Sequence, residues 1–150
     1  MTGEYRNTVD EKGRLMIPPK LRMQLGEENQ LMLTKSMDGT LWLFTKKDFD
    51  ALNQAVNYDP LAIFNKNSRI IDMMVIAPAR PIELDKAGRL AIPQLLRDFA
   101  GLELKTECVI LGSMTKIEIC NAKKYDELAS QCQNLISDAG NALSMQRMGN

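Results

Sequence analysis

The residues best equipped for chemistry in this 150-residue chain are two aspartate–arginine pairs set in the same spelling. Residues 10–22 read D-E-K-G-R-L-M-I-P-P-K-L-R and residues 85–97 read D-K-A-G-R-L-A-I-P-Q-L-L-R. At a constant offset of 75, Asp10, Gly13, Arg14, Leu15, Ile17, Pro18, Leu21 and Arg22 match Asp85, Gly88, Arg89, Leu90, Ile92, Pro93, Leu96 and Arg97. An internal repeat of this kind governs every later reading of the fold. An arginine directly after a turn glycine can reach outward, where its guanidinium forks onto phosphate oxygens or a guanine edge. It can equally close on its own aspartate, Arg14 with Asp10 and Arg89 with Asp85, and stiffen the turn. Spacing alone leaves both readings open. Arg22 and Arg97, each one position after an inward leucine, divide the same way between structural pairing and contact with nucleic acid.

A third chemistry is conceivable for the same residues. Asp10 and Asp85 at equivalent places of a two-fold body could share a proton, as paired catalytic carboxylates do. Each of them, however, has an arginine four residues on that would keep it ionised. Neither block reads D-T-G or D-S-G, so the hydroxyl neighbours of such dyads are missing, and this hydrolase reading is the remote one. The chain has no histidine, which removes the commonest general base and the partner of a Ser or Cys nucleophile. Cys108, Cys120 and Cys132 lie twelve residues apart and lack zinc-ligand spacing. No catalytic residue, cofactor or metal is expected.

Charge is the weakest support for a nucleic-acid partner: Lys+Arg and Asp+Glu number 19 each. A local cluster repeated around an oligomer can still supply the field. The first block is the more basic. Arg6, Lys12, Arg14, Lys20 and Arg22 stand in its first 22 residues against Glu4, Asp10 and Glu11, whereas Ala87 and Leu95 replace Lys12 and Lys20 in the second. Summed charge governs phosphate contact, so the first block is expected to supply most of a DNA surface and the second to act mainly as scaffold. No apolar run approaches a membrane span and the opening M-T-G-E-Y-R has no signal-peptide core, which predicts a cytoplasmic protein.

The elements that must position these residues follow from local chemistry. Glu4–Val9 is extended-friendly, and D-x-x-G predicts a three-residue hairpin loop with a glycine bulge. Arg14–Ile17 is then expected to return as a strand against it. Pro18 is placed at a helix start, with Leu21 and Leu25 on one face. L-M-L-T-K, a turn at Asp38-Gly39 and L-W-L-F predict a second hairpin. A helix over about 46–57 carries Phe49, Leu52 and Val56 at helical spacing. Trp42, Phe44 and Phe49 read as core or subunit-interface residues. Met16, Met23, Met32, Met37, Met73, Met74 and Met114 read as pliable packing. The tail, 137–150, is expected to fray. Looser matches extend the repeat, with Gly26 answering Gly101 and K-K-D-F-D-A-L answering K-K-Y-D-E-L. The chain is therefore expected to be one domain of two internal repeats, about 4–58 and 80–130, joined by a helical linker over about 60–78. One copy buries too little alone; two copies could close a barrel about a pseudo-twofold axis.

The doubled D-x-x-G-R-x-x-I-P-x-x-L-R pattern, with the opening G-E-Y, resembles the MraZ family, a two-copy relative of the AbrB and MazE DNA-binding folds. The resemblance implies an α+β, β-rich, double-split β-barrel with flanking helices. It also implies a transcriptional regulator, a repressor of the division and cell-wall gene cluster, associated with the nucleoid. Such proteins form homo-oligomeric rings on direct repeats in promoter double-stranded DNA. The Asp…Arg motif is carried over as the DNA-binding element: Asp10, Lys12, Gly13 and Arg14, with Asp85, Gly88 and Arg89 in the second block and Arg6, Lys20 and Arg22 nearby. The chain departs from the family at Thr2, where an aromatic is common, and at Cys120 and Tyr125, where Trp is frequent. The contrasting class is an antitoxin-like or adaptor module that binds protein.

Overall fold

A computed structural model describes residues 1–27 and 30–148. The first half contains β1 (Glu4–Thr8), β2 (Arg14–Met16), α1 (Pro19–Leu25), β3 (Leu31–Lys35), β4 (Leu41–Thr45) and α2 (Lys46–Asn57). A 3₁₀ turn (Pro60–Phe64), α3 (Lys66–Ile71) and a π-helical turn (Asp72–Ile76) follow. The second half contains β5 (Arg80–Ile82), β6 (Arg89–Ala91), α4 (Gln94–Ala100), β7 (Glu107–Ser113), β8 (Lys116–Asn121), α5 (Ala122–Gln131) and α6 (Gln133–Met148).

The architecture is mixed α+β. Six strands form a sheet in the order β1-β7-β8-β4-β3-β5, and β2 and β6 form a separate two-stranded ribbon. Each of these pairings is antiparallel. No pairing among the described residues closes the two sheets into one ring.

The first expected hairpin is half right. The turn forms, but β1 pairs with β7, from Glu4 opposite Leu111 to Thr8 opposite Glu107. β2 pairs with β6, with Leu15 opposite Leu90. The exchange has a packing cause. Leu15 and Leu90 are both fully buried, and three-residue strands laddered within one block would have had no second layer against which to bury them. The second hairpin forms as expected, with Leu31 opposite Thr45 through Lys35 opposite Leu41.

Helix α2 occupies the expected residues, and the Thr45 hydroxyl caps it by accepting from the Asp48 N–H at 3.1 Å. Pro18 is the N-cap of α1 rather than its first residue; Pro19 takes that place, and Pro93 caps α4 in the same way. Both caps are extended at ψ near 140°, as a residue outside the helix must be, and a proline at the first turn loses no hydrogen bond.

The main core joins Leu15, Ile17 and Leu21 to Leu90, Ile92 and Leu96 over the apolar face of the six-stranded sheet. A second cluster sets Phe44 and Phe49 against Val75 and Ile76, and Trp42 meets Phe44 edge-on. The methionines depart from expectation. Met23, Met37, Met73, Met74 and Met114 are exposed; in α1, for example, Leu21 and Leu25 take the inward face and Met23 falls between them on the outside. The tail departs too. Helix α6 runs to Met148 and is exposed throughout, with Ala139, Ala142, Leu143, Gln146 and Arg147 all good helix formers. Residues 149–150 lie outside the described residues.

Candidate nucleic-acid interface

Each aspartate builds its turn from within. The Asp10 N–H donates to the Arg14 carbonyl at 2.9 Å and the Gly13 N–H donates to the Asp10 carbonyl at 3.0 Å. Asp10 Oδ1 accepts from the N–H groups of Lys12 and Arg14, each at 2.9 Å, and Oδ2 accepts from Arg14 Nε at 2.8 Å. Asp85 repeats the pattern with Ala87 and Arg89 at 2.9, 2.9 and 2.8 Å. Three donors on one carboxylate hold it in its charged form. The Arg14 backbone N–H is the largest influence keeping the Asp10 carboxyl below its ordinary 3.8, and the Arg89 backbone N–H does the same for Asp85; partial desolvation opposes both.

The internal ion pair is therefore present, and it does not use up the arginine. A guanidinium has five N–H donors, and Arg14 and Arg89 each spend only Nε on the aspartate. Their terminal nitrogens make no hydrogen bond among the described residues. The aspartate thus orients the fork and leaves its outer edge available, so the two readings of these arginines are compatible.

Ribbon register decides where the forks point. Arg14 lies opposite Ala91 and Met16 opposite Arg89. Successive side chains alternate between faces. With Leu15 and Leu90 buried beneath, Arg14 and Arg89 stand on the same outward face. The antiparallel run places the two turns at opposite ends of the ribbon, so Asp10 and Asp85 are separate carboxylates, each occupied by its own turn. Backbone bonds tie each turn to the other block: the Ile17 N–H donates to the Gly88 carbonyl and the Ile92 N–H to the Gly13 carbonyl, both at 3.0 Å.

A second link was not visible in the spelling. Arg22 Nε donates to the Ile17 carbonyl and Arg97 Nε to the Ile92 carbonyl, both at 3.0 Å. The guanidinium of Arg22 then lies against Gly88, and that of Arg97 against Gly13. A methyl carbon on Gly88 would stand 2.7 Å from Arg22 Nε and nearer still to its terminal nitrogen; one on Gly13 would stand 3.0 Å from Arg97 Nε. Gly13 and Gly88 also have positive φ, 77° and 85° respectively. The signal was present only as a pair: the repeat preserves Gly and Arg together, and their meeting crosses the blocks.

The other expected residues are placed as follows. Lys12 is exposed at the first turn and Lys20 is exposed in the first turn of α1. Arg6 is held away from them by Asp126 at 2.6 Å and Glu107 at 3.1 Å, and those hydrogen bonds, Asp126 first, raise its already high pKa. The Tyr125 hydroxyl donates to Glu4 beside this cluster. Glu11 is met by Lys105 at 3.3 Å. Lys86, exposed beside Asp85, is a cation that the sequence reading passed over. No group of three or more His, Cys, Asp or Glu side chains able to hold a metal occurs among the described residues, and none of their helices is long and apolar enough to cross a membrane.

The chain is similar to proteins of one family. The family model of the MraZ protein, whose description adds "antitoxin-like", matches twice, over residues 1–72 and 75–147. A transcriptional regulator MraZ from Treponema denticola is 39% identical over 143 residues, covering 95% of this chain and 96% of that protein. One from Caldicellulosiruptor bescii is 40% identical over 125 residues, covering 83% of each. One from Ligilactobacillus salivarius is 35% identical over 136 residues, covering 91% of each.

Proposed function

The chain belongs to the MraZ family, and we propose that it is a transcription regulator that binds double-stranded DNA in a sequence-specific way through the outward face of the β2–β6 ribbon. The observation that carries this reading is the pair Arg14 and Arg89, each oriented by an aspartate through Nε with its terminal nitrogens left over among the described residues. A two-stranded ribbon fits the major groove of B-form DNA, and a pre-set guanidinium loses little freedom on meeting a guanine edge or phosphate. In this reading the first block carries the larger share. Lys12 and Lys20 extend its charge and Lys105 meets Glu11, whereas the second block adds Lys86 and has the exposed Leu95 where Lys20 stands. Arg6, committed to Asp126 and Glu107, is left out of the surface.

The finer picture is a pseudo-twofold double-split barrel of two repeats. The matching turns and the exchanged strands support it. Protomers assemble as a ring on promoter direct repeats, and the protein acts in the cytoplasm on the nucleoid, repressing division and cell-wall genes. A near-neutral chain gains from such an array, because linked weak sites add avidity. Exposed Tyr58, Leu61, Ile63 and Phe64 give the protomer apolar surface for it. The test is binding to the DNA upstream of the gene against shuffled DNA over a salt series. Preference for the upstream sequence, with affinity falling steeply as salt rises, is expected; equal or absent binding refutes it. The antitoxin-like description favours one second reading, a protein-binding module, and that reading predicts a tight protein complex and no salt-steep DNA binding.

A further inference from the structure

We propose that Arg22 and Arg97 are positioning residues that set the height of the opposite DNA-facing turn and make no contact with DNA themselves; the proposal rests on the DNA-binding reading above. Arg22 leaves α1, in the first block, and its guanidinium packs against Gly88 in the second turn; Arg97 leaves α4 and packs against Gly13 in the first. Each guanidinium is also anchored at its root, through Nε to the carbonyl of Ile17 or Ile92. Those two residues donate their own N–H groups to the Gly88 and Gly13 carbonyls respectively. Helix, ribbon end and opposite turn are therefore joined in one closed circuit, and there is one circuit for each turn.

The chemistry explains why arginine and glycine occur together. The guanidinium packs against a backbone that carries no side chain, and both glycines are buried. Among the described residues Arg22 and Arg97, like Arg14 and Arg89, use only Nε in a hydrogen bond. What sets them apart is that the guanidinium itself packs against the glycine of the opposite turn, which turns it away from phosphate. Its effect on DNA is through Arg89, which follows Gly88, or Arg14, which follows Gly13. If a turn shifts, the fork beside it moves with it, and a bidentate contact depends on its geometry.

The test uses the full-length protein and the salt dependence of binding to its own upstream DNA. Each phosphate contact contributes roughly 0.9 to the slope of log affinity against log salt. Arg22→Met removes the guanidinium and keeps an apolar stem, while Gly88→Ala crowds the same contact with every charge in place. Both are expected to weaken binding by roughly 5- to 150-fold, the range of one misaligned bidentate contact, with the slope unchanged. Lys12→Ala is the control, with a slope shallower by about 0.9. Hydrogen exchange without DNA should show faster amide exchange at residues 85–89 in Arg22→Met than in wild type. A slope that drops by about 0.9 in Arg22→Met makes it a phosphate ligand and overturns the proposal. Unchanged binding, or unchanged exchange, also overturns it. If the wild-type protein binds no DNA, the DNA reading itself has failed, and the exchange measurement still reports whether the brace exists.

Discussion

Alanine at Gly13 and at Gly88 puts the same perturbation into two turns that share a backbone but differ in clearance. Both residues have positive φ, 77° and 85°, so an L side chain at either carries a left-handed penalty of about 1–2 kcal/mol. At Gly13 little else is added. The nearest atoms of Arg97 would lie 3.0–3.3 Å from the new methyl, and a small adjustment of a flexible side chain relieves that. At Gly88 the methyl would stand 2.7 Å from Arg22 Nε and overlap the atoms beyond it, so the guanidinium must leave. Its bond to the Ile17 carbonyl goes with it, and a hydrogen bond from a charged donor is worth about 1.5–3 kcal/mol. Gly88→Ala should therefore cost about 2.5–5 kcal/mol and Gly13→Ala about 1–2 kcal/mol. Urea unfolding at one fixed protomer concentration reads both. Combining Gly88→Ala with Arg22→Met should cost less than the sum of the singles by about 1–3 kcal/mol, because both remove the same contact. Equal losses at the two glycines, or strict additivity in the cycle, would refute the crowding argument.

Leucine burial, carboxylate charge and thiol burial each set a further outcome. Leu15→Ala and Leu90→Ala, cut from a fully buried cross-strand pair, should each lose about 2–5 kcal/mol in denaturant titration, and the double variant should fall short of the sum because the cavities merge. The lowered carboxyls of Asp10, Asp85 and Asp126 contribute stability that is present above the ordinary 3.8 and is lost as pH falls below it. Thermal melts should accordingly be flat in this contribution from pH 5 upward and decline in acid, with a shallower acid limb in Asp10→Asn/Asp85→Asn. Burial pushes the Cys108 and Cys120 thiols up to about 12, so a thiol reagent should label the half-buried Cys132 first in the native protein, read by mass spectrometry.

Much of the local structure was legible because its causes are local. Asp-x-x-Gly specifies a turn through the hydrogen bonds its own side chain can accept, and L-M-L-T-K and L-W-L-F about the Asp38-Gly39 turn specify a hairpin. The run from Lys46 to Asn57 carries its own cap at Thr45. What the spelling could not show was partnership. Whether Arg14–Met16 pairs with the strand before it or with its counterpart 75 residues away depends on where Leu15 finds a second layer. Arg22 and Gly88 meet only once that exchange has occurred. Arg6 counts as a cation near the motif in one dimension, yet Glu107 and Asp126, brought up by β7 and α5, take its charge. Met23 looks like core by composition and faces outward because two leucines hold the inner side. Of the candidate site, the aspartate–arginine spacing was legible, but spacing left open whether each pair closes, and the outer edge of each fork follows only from the folded turn.

The proposed function stands or falls with the aspartate-oriented arginine fork on the β2–β6 ribbon. It is tested most directly by a gel shift with the DNA upstream of the gene, comparing wild type, Arg14→Ala and Arg89→Ala at equal folded concentration and with oligomeric state checked by size exclusion. A specific shift by wild type is expected, with its loss in Arg14→Ala while assembly stays intact, and a smaller loss in Arg89→Ala. Normal binding by Arg14→Ala would contradict the site, and equal losses from the two variants would contradict the larger share given to the first block.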